Sequence, residues 1–150
     1  MSINTSNRLL ISEVLQKVSN AKTKAEKVKI LQDNNTQALR SILIWNYDES
    51  VVSLVPEGEV PYRPNEAPEG TEHTVLEKEH KKLYYFIKGG DPNLKQFRRE
   101  QMFIQMLEGL HSSEAELLCL VKDGLLQKKY RITKAVVEEA FPQIKWGGRS

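Results

Sequence analysis

The feature that most constrains the fold is the spacing of apolar residues, which recur at intervals of three and four through most of the chain. The first such set is Leu9, Leu10, Val14, Leu15 and Val18. This spacing places apolar side chains on one face of an α-helix and does not fit the alternation of a strand. The same pattern returns in six further stretches, so the chain predicts an all-α fold, an irregular bundle of about seven short helices.

Start and stop signals give bounds to several of these helices. Thr23 with Glu26 forms a capping-box pattern that opens a helix over residues 24–31. Thr133 is a suitable N-cap for residues 134–141, and Pro142 closes that helix. The remaining predicted helices cover residues 38–45, 71–90, 94–110 and 112–126. Residues 94–110 are apolar on most sides in their second half, which predicts the central, most buried helix.

One long segment, residues 47–70, breaks the helical pattern. It contains four prolines, Pro56, Pro61, Pro64 and Pro68. Between residues 46 and 72 the charged residues are Asp48, Glu49, Glu57, Glu59, Glu66, Glu69 and Glu72, with only Arg63 opposing them. Proline lacks the backbone N–H that helices and sheets use. We therefore expect a long acidic, Pro-rich loop, with a short strand or extended stretch at residues 51–55, inside a single domain over residues 1–150.

Several classes of protein are not indicated by these residues. No apolar run approaches the length of a membrane span, and residues 1–8 lack the pattern of a secretory signal, so we expect a cytoplasmic protein with no membrane partner. The one cysteine, Cys119, lies in an apolar run and is expected to be buried and inert. There is no Gly-rich phosphate loop and no recognisable catalytic motif. We predict neither an enzyme nor a cofactor.

His73, Glu77 and His80 stand at helical spacing and could offer three metal ligands on one helix face. His80 also falls on the apolar stripe with Leu76 and Leu83. A histidine at the edge of the core is the simpler interpretation. We therefore predict no metal site.

Cations and aromatic residues are mixed in three stretches, which are residues 81–85 (KKLYY), 95–99 (KQFRR) and 128–134 (KKYRITK). The third carries four cations just before and inside the start of a predicted helix. Free N–H groups and the helix dipole favour a phosphate at such a place. The alternative is that lysines at helix ends only keep the surface soluble, and residue types alone leave both interpretations open.

Two blocks of the chain resemble the N-terminal DNA-binding domain of ATP-dependent DNA ligases, in the short form found in phages. The first runs from Ser12-Glu13-Val14-Leu15 through Thr23-Lys24-Ala25-Glu26-Lys27-Val28-Lys29-Ile30-Leu31 to Tyr47. The second contains Met106-Leu107-Glu108-Gly109-Leu110, Ala115-Glu116-Leu117-Leu118 and Phe141-Pro142-Gln143-Ile144. The whole chain also resembles short proteins of contractile-tailed phages of cyanobacteria.

The resemblance implies a helical domain that grips duplex DNA across the minor groove, without the catalytic domains that follow in the ligases. The nucleotidyl-lysine motif Lys-x-Asp-Gly is absent, since Lys122-Asp123-Gly124 is one residue too short. The chain also departs from the family where small residues open two helices. Arg99-Glu100-Gln101 and Lys129-Tyr130-Arg131 stand at those places. Their bulk removes the close backbone approach that small residues allow, and added cations could compensate at longer range.

The leading hypothesis is a non-catalytic accessory protein that binds duplex DNA through backbone phosphates without sequence specificity. The expected DNA-binding residues are Lys128, Lys129, Arg131, Thr133, Lys134, Arg98 and Arg99. The alternative is a protein-interaction adaptor in a phage or host replication or transcription complex, with the acidic segment as its docking element.

Overall fold

The computed structural model describes residues 9–64 and 74–149. The helices in these ranges are α1 (Ile11–Asn20), α2 (Lys24–Asp33), α3 (Gln37–Tyr47), α4 (Leu76–Glu79), α5 (Gln96–Gly109), α6 (Ser112–Lys122) and α7 (Lys134–Ala140), with 3-10 helices at His80–Phe86 and Leu126–Lys128. The described ranges contain no sheet, only two isolated bridges. The predicted all-α fold is confirmed.

Threonine side chains define the start of three helices. Thr23 Oγ1 accepts a hydrogen bond from Glu26 N at 3.1 Å, and Thr36 Oγ1 accepts one from Leu39 N at 3.1 Å. Thr133 does the same for Val136 N at 3.3 Å, as its position in the sequence predicts. Each bond satisfies a backbone N–H that has no partner within its own helix.

The predicted helix over residues 71–90 is instead a short α-helix that tightens into the His80–Phe86 3-10 helix. A 3-10 helix brings residues three apart onto the same line. Leu83 and Phe86 therefore both face the core, where the Phe86 ring lies edge-on to Phe103 with centroids 5.1 Å apart. Residues 71–73 of that prediction lie outside the described residues.

The central helix is α6, so the expectation that residues 94–110 form the most buried helix is wrong. α6 packs against α1, α3 and α5, and only Ser112 and Glu116 among its residues are exposed. The first turn of α5 is open to solvent, and Phe97 is 75% exposed. Apolar content alone did not distinguish a helix that packs on one side from one that is enclosed.

A buried carboxylate on α6 joins the starts of two other helices. Glu114 is fully buried, and its Oε2 accepts a hydrogen bond from Ile11 N while its Oε1 accepts one from Leu76 N, both at 2.9 Å. Ile11 and Leu76 are the first residues of α1 and α4. A negative charge at two helix N-termini satisfies backbone donors and interacts favourably with both helix dipoles.

The described part of the acidic segment, residues 48–64, contains no helix, but it is tied to the core. The Lys122 ammonium is fully buried and donates to Pro56 O at 2.9 Å, to Gly58 O at 2.8 Å and to the Asp123 carboxylate at 2.9 Å. The extended stretch expected at residues 51–55 makes one isolated antiparallel bridge, between Ser53 and Ile87. The predicted loop therefore has an anchored first part, and residues 65–70 lie outside the described residues.

The last described residues fold back onto the end of α3. The Asp48 carboxylate accepts hydrogen bonds from Gly147 N at 2.9 Å and from Arg149 Nη1 at 2.6 Å, and its other oxygen is bound by Ser50. Burial raises the pKa of Asp48, but the hydrogen bonds from Ser50, Gly147 and Arg149 outweigh it and lower the pKa to about 2. The carboxylate therefore stays charged at neutral pH.

We predict that Glu114→Gln lowers the free energy of unfolding by about 3 kcal/mol, because one buried N–H would then face an amide NH₂ in place of a charged acceptor. Urea denaturation followed by circular dichroism at 222 nm measures the change. Glu116→Gln on the exposed side of the same helix is the matched control and should stay within about 0.5 kcal/mol. Equal stability of the two variants would contradict the role given to Glu114.

We predict that Asp48→Asn costs about 2 kcal/mol at pH 7, because the native state binds the charged carboxylate more favourably than the unfolded chain does. The pKa of Asp48 is lowered on folding from 3.8 to about 2. This stability is present above pH 3.8 and is lost as the pH falls towards 2. The difference in the free energy of unfolding between wild type and variant should therefore shrink over that pH interval, as measured by denaturation at a series of acidic pH values. Asp33→Asn, at an exposed carboxylate paired with Lys29, should cost less than about 1 kcal/mol at pH 7.

Candidate nucleic-acid interface

The stretch over residues 128–134, here called the basic segment, alternates buried and exposed side chains. Tyr130 and Ile132 are each 2% exposed and belong to the core. The residues that alternate with them, Lys129, Arg131 and Thr133, are exposed. The segment begins at the last residue of the Leu126–Lys128 3-10 helix and turns at Arg131, where Ile132 N donates to Tyr130 O at 2.8 Å. The two buried side chains hold the segment in place and turn its polar side chains towards solvent.

Two other helices hold the backbone of the basic segment. Arg131 N donates to Ser19 Oγ at 2.9 Å, at the end of α1. The Lys27 ammonium, on α2, donates to Arg131 O. Both backbone groups of Arg131 are thus satisfied, and its side chain is exposed. The fold brings Lys27, which is 104 residues distant in sequence, next to the predicted cations.

Sequence reasoning did not select Lys27 as a functional residue. Lys24 and Lys27 lie in the block that resembles the ligase domain, but nothing in a linear sequence shows which basic stretches meet. α2 packs against α7, and Lys24 forms an ion pair with Glu139 of α7 at 3.2 Å. That helix pairing places the basic residues of α2 beside the basic segment.

The cations of the segment are not equally available. Lys129 forms an ion pair with Glu116, and this hydrogen bond raises the pKa of Lys129. The Lys134 ammonium lies over the Trp146 ring, 4.9 Å from its centroid. Within residues 9–64 and 74–149, Lys128 and Arg131 are exposed and have no ion pair. They are the cations most free to meet an anion.

Arg99 is not on the surface, so we remove it from the expected DNA contacts. It is 6% exposed, and its guanidinium donates to four acceptors. These are Tyr85 O at 2.8 Å, Gln96 Oε1 at 2.6 Å, Asp91 O at 3.3 Å and Leu94 O at 3.2 Å. A guanidinium has five N–H donors in a planar fork, which suits it to gathering several carbonyls. Arg99 holds the turn before α5 together.

Arg98 is exposed on α5. Its helix, α5, packs against α6 and the His80–Phe86 3-10 helix, whereas α7 packs against α2. The Lys27–Arg131 hydrogen bond brings Lys27 to the segment that carries Lys128, Lys129, Arg131, Thr133 and Lys134, and none of the described hydrogen bonds or ion pairs joins Arg98 to it.

A separate cleft of about 230 Å³ lies between α3 and the His80–Phe86 3-10 helix. Its lining includes Ile44, Trp45, Leu83, His80 and Arg149. His80 Nδ1 is 2.9 Å from Glu77 O, and its buried Nε2 has no hydrogen-bond partner among the described residues. No trio of His, Cys, Asp or Glu in the described ranges is arranged to hold a metal ion, and His73 lies outside those ranges.

The described helices include none that is long and apolar enough to cross a membrane.

A model described as a family of unknown function, DUF6433, matches residues 14–128. The matched range includes Lys27, Arg98 and Lys128 and ends before Arg131. No curated protein and no solved structure matches the chain. Since the family model spans more than half of the 150 residues, the chain belongs to the DUF6433 family.

Proposed function

We propose that this protein is a non-catalytic accessory factor that binds duplex DNA through backbone phosphates, without sequence specificity, in the cytoplasm. The observation that carries the proposal is the clamped backbone of Arg131, between Ser19 of α1 and Lys27 of α2. This clamp collects cations from two distant parts of the chain on one surface. The resemblance to the ligase DNA-binding domain supports the same partner.

The electrostatics of the basic segment suit a phosphate backbone. Duplex DNA carries about one negative charge per 1.7 Å of helix axis, so several cations within a short distance can each meet a phosphate. Lys128 and Arg131 are exposed, and the ammonium of Lys27 lies beside the Arg131 carbonyl. The segment itself contains no acidic residue. Binding would therefore release counterions with little repulsion from within the segment.

Lack of sequence specificity follows from the proposed contacts, which are to phosphates and not to base edges. Lysine and arginine contacts to phosphates position a protein on DNA without reading bases. The aromatic residue of the basic segment, Tyr130, is buried and cannot reach a base edge. The Lys129–Glu116 pair further restrains one of the cations.

A protein-interaction adaptor is the second candidate function. Glu57 and Glu59 are exposed on the acidic segment, and Lys122 holds the carbonyls of Pro56 and Gly58 beside them. An acidic surface on an anchored backbone suits a basic partner protein, such as a component of a phage or host replication or transcription complex. Capture of such a partner that persists after nuclease treatment would favour this function over DNA binding.

We predict that the logarithm of the affinity for a 30-base-pair duplex falls linearly with the logarithm of the salt concentration. The double variant Lys128→Ala with Arg131→Ala should make this slope shallower by about 2, because each phosphate contact contributes about 0.9. Fluorescence anisotropy over a salt series measures the slope. All duplex sequences should weaken alike.

The control for this experiment is Arg63→Ala with Lys78→Ala, which removes the same charge from two exposed positions, one on the acidic segment and one on α4. Its slope should equal that of the wild type. If the wild type fails to bind the duplex at about 50 mM salt and micromolar protein, conditions under which non-specific binders are visible, the proposed function is wrong.

A further inference from the structure

We propose that residues 81–98 form a second nucleic-acid surface, which binds single strands by stacking bases on the exposed rings of Phe97 and Tyr84. We call it the aromatic face, and define it by Lys81, Tyr84, Lys88, Lys95, Phe97 and Arg98. The proposal does not depend on duplex binding by the basic segment, because it uses different residues and a different contact.

The aromatic face exposes apolar rings that a folded domain normally buries. Phe97 is 75% exposed and Tyr84 is 43% exposed, and Val52 is the third large apolar residue exposed among the described residues. The Tyr84 ring also rests on the Tyr85 ring, with centroids 4.2 Å apart. A large aromatic ring exposed to water offers apolar surface that a flat apolar ligand can cover.

Cations lie close to these rings in the sequence. Residues 80–98 contain Lys81, Lys82, Lys88, Lys95 and Arg98 on the surface, and Asp91 is their only acid. Lys82 is paired with Glu79 at 3.3 Å, and the other four have no ion pair in the described parts of the chain. The charge of this surface complements a polyanion. A purely apolar protein partner would have to bury these cations without compensation.

The backbone that carries these side chains is held in place. Arg99 joins Tyr85, Asp91 and Leu94 through their carbonyls. Gly90 packs so closely on this turn that a Cβ there would lie 1.8 Å from Tyr84 O. Because the turn is already ordered, binding would lose little conformational entropy in this backbone.

The combination of stacking rings and cations distinguishes a single strand from a duplex. Base faces are accessible for stacking only when they are not enclosed in a helix, and single-strand binders combine aromatic platforms with a positive groove. The basic segment buries its ring, Tyr130, whereas the aromatic face exposes Phe97. The two surfaces therefore suit different forms of nucleic acid.

The test compares a fluorescein-labelled 20-nucleotide thymidine strand with an abasic strand of the same length and charge. We expect the wild type to bind the thymidine strand about tenfold more tightly, because base–aromatic stacking contributes about 1–3 kcal/mol per base. Phe97→Ala should weaken this preference, and Phe97→Ala with Tyr84→Ala should bind both strands alike. Phe97→Trp should keep the preference, and Phe97→Leu, which remains apolar but cannot stack, should weaken it as Phe97→Ala does.

Folding of each variant is checked by circular dichroism, and the exposure of Phe97 makes retention of the fold the expected result. Equal binding of both strands by the wild type, or an unchanged preference in Phe97→Ala, would overturn the proposal. If Phe97→Leu instead keeps full affinity, the ring acts as an apolar anchor of the kind that protein partners use, and the proposal is also overturned. The affinity of Phe97→Ala for duplex DNA should equal that of the wild type. Failure of the single-strand proposal would therefore appear in the thymidine and abasic strands alone, whereas failure of the proposed function would appear as loss of duplex binding by the wild type.

Discussion

The carboxylate of Glu114 is the interaction on which the arrangement of the helices most depends. It lies in the central helix and binds the first backbone N–H of α1 and of α4 at the same time. A buried charge is tolerated only when its oxygens are well satisfied, and here two helix N-termini supply both hydrogen bonds and favourable dipoles. The position of α1 then determines where Ser19 lies. The basic segment is held by Ser19, so its geometry rests indirectly on a carboxylate that no ligand can reach.

Local signals in the sequence predicted much of the fold. The threonine caps at Thr23 and Thr133, and the three- and four-residue spacing of apolar positions, depend on residues close together in the chain, and the corresponding helices are present. Long-range roles were not predictable in this way. Glu114, Lys122 and Arg99 resemble ordinary surface charges in sequence, but all three are buried and satisfied by partners that the fold brings to them. Charge alone did not reveal that Arg99 holds a turn while Arg98, its neighbour, stays in solvent.

The candidate surfaces illustrate the same limit. Residues 128–134 could be selected from composition, because four cations occur without an acid. Their association with Lys27 required the packing of α2 on α7. The stretches 81–85 and 95–99 both attract attention as basic and aromatic, yet only the structure shows that Arg99 ties them into one unit and that Phe97 is left uncovered. Separate basic stretches thus become two surfaces of different character, one with its ring buried and one with its rings exposed.

The buried ammonium of Lys122 gives the acidic segment a chemical reporter of its own. An amine reacts with acylating reagents only when it is accessible and deprotonated, and this one is enclosed by the carbonyls of Pro56 and Gly58 and by the Asp123 carboxylate. Its modification requires the segment to detach first, so its rate of labelling measures how often that detachment occurs. The many exposed lysines of the same chain provide the reference rate. Mass spectrometry of acylated Lys122 therefore reports how often the acidic segment opens.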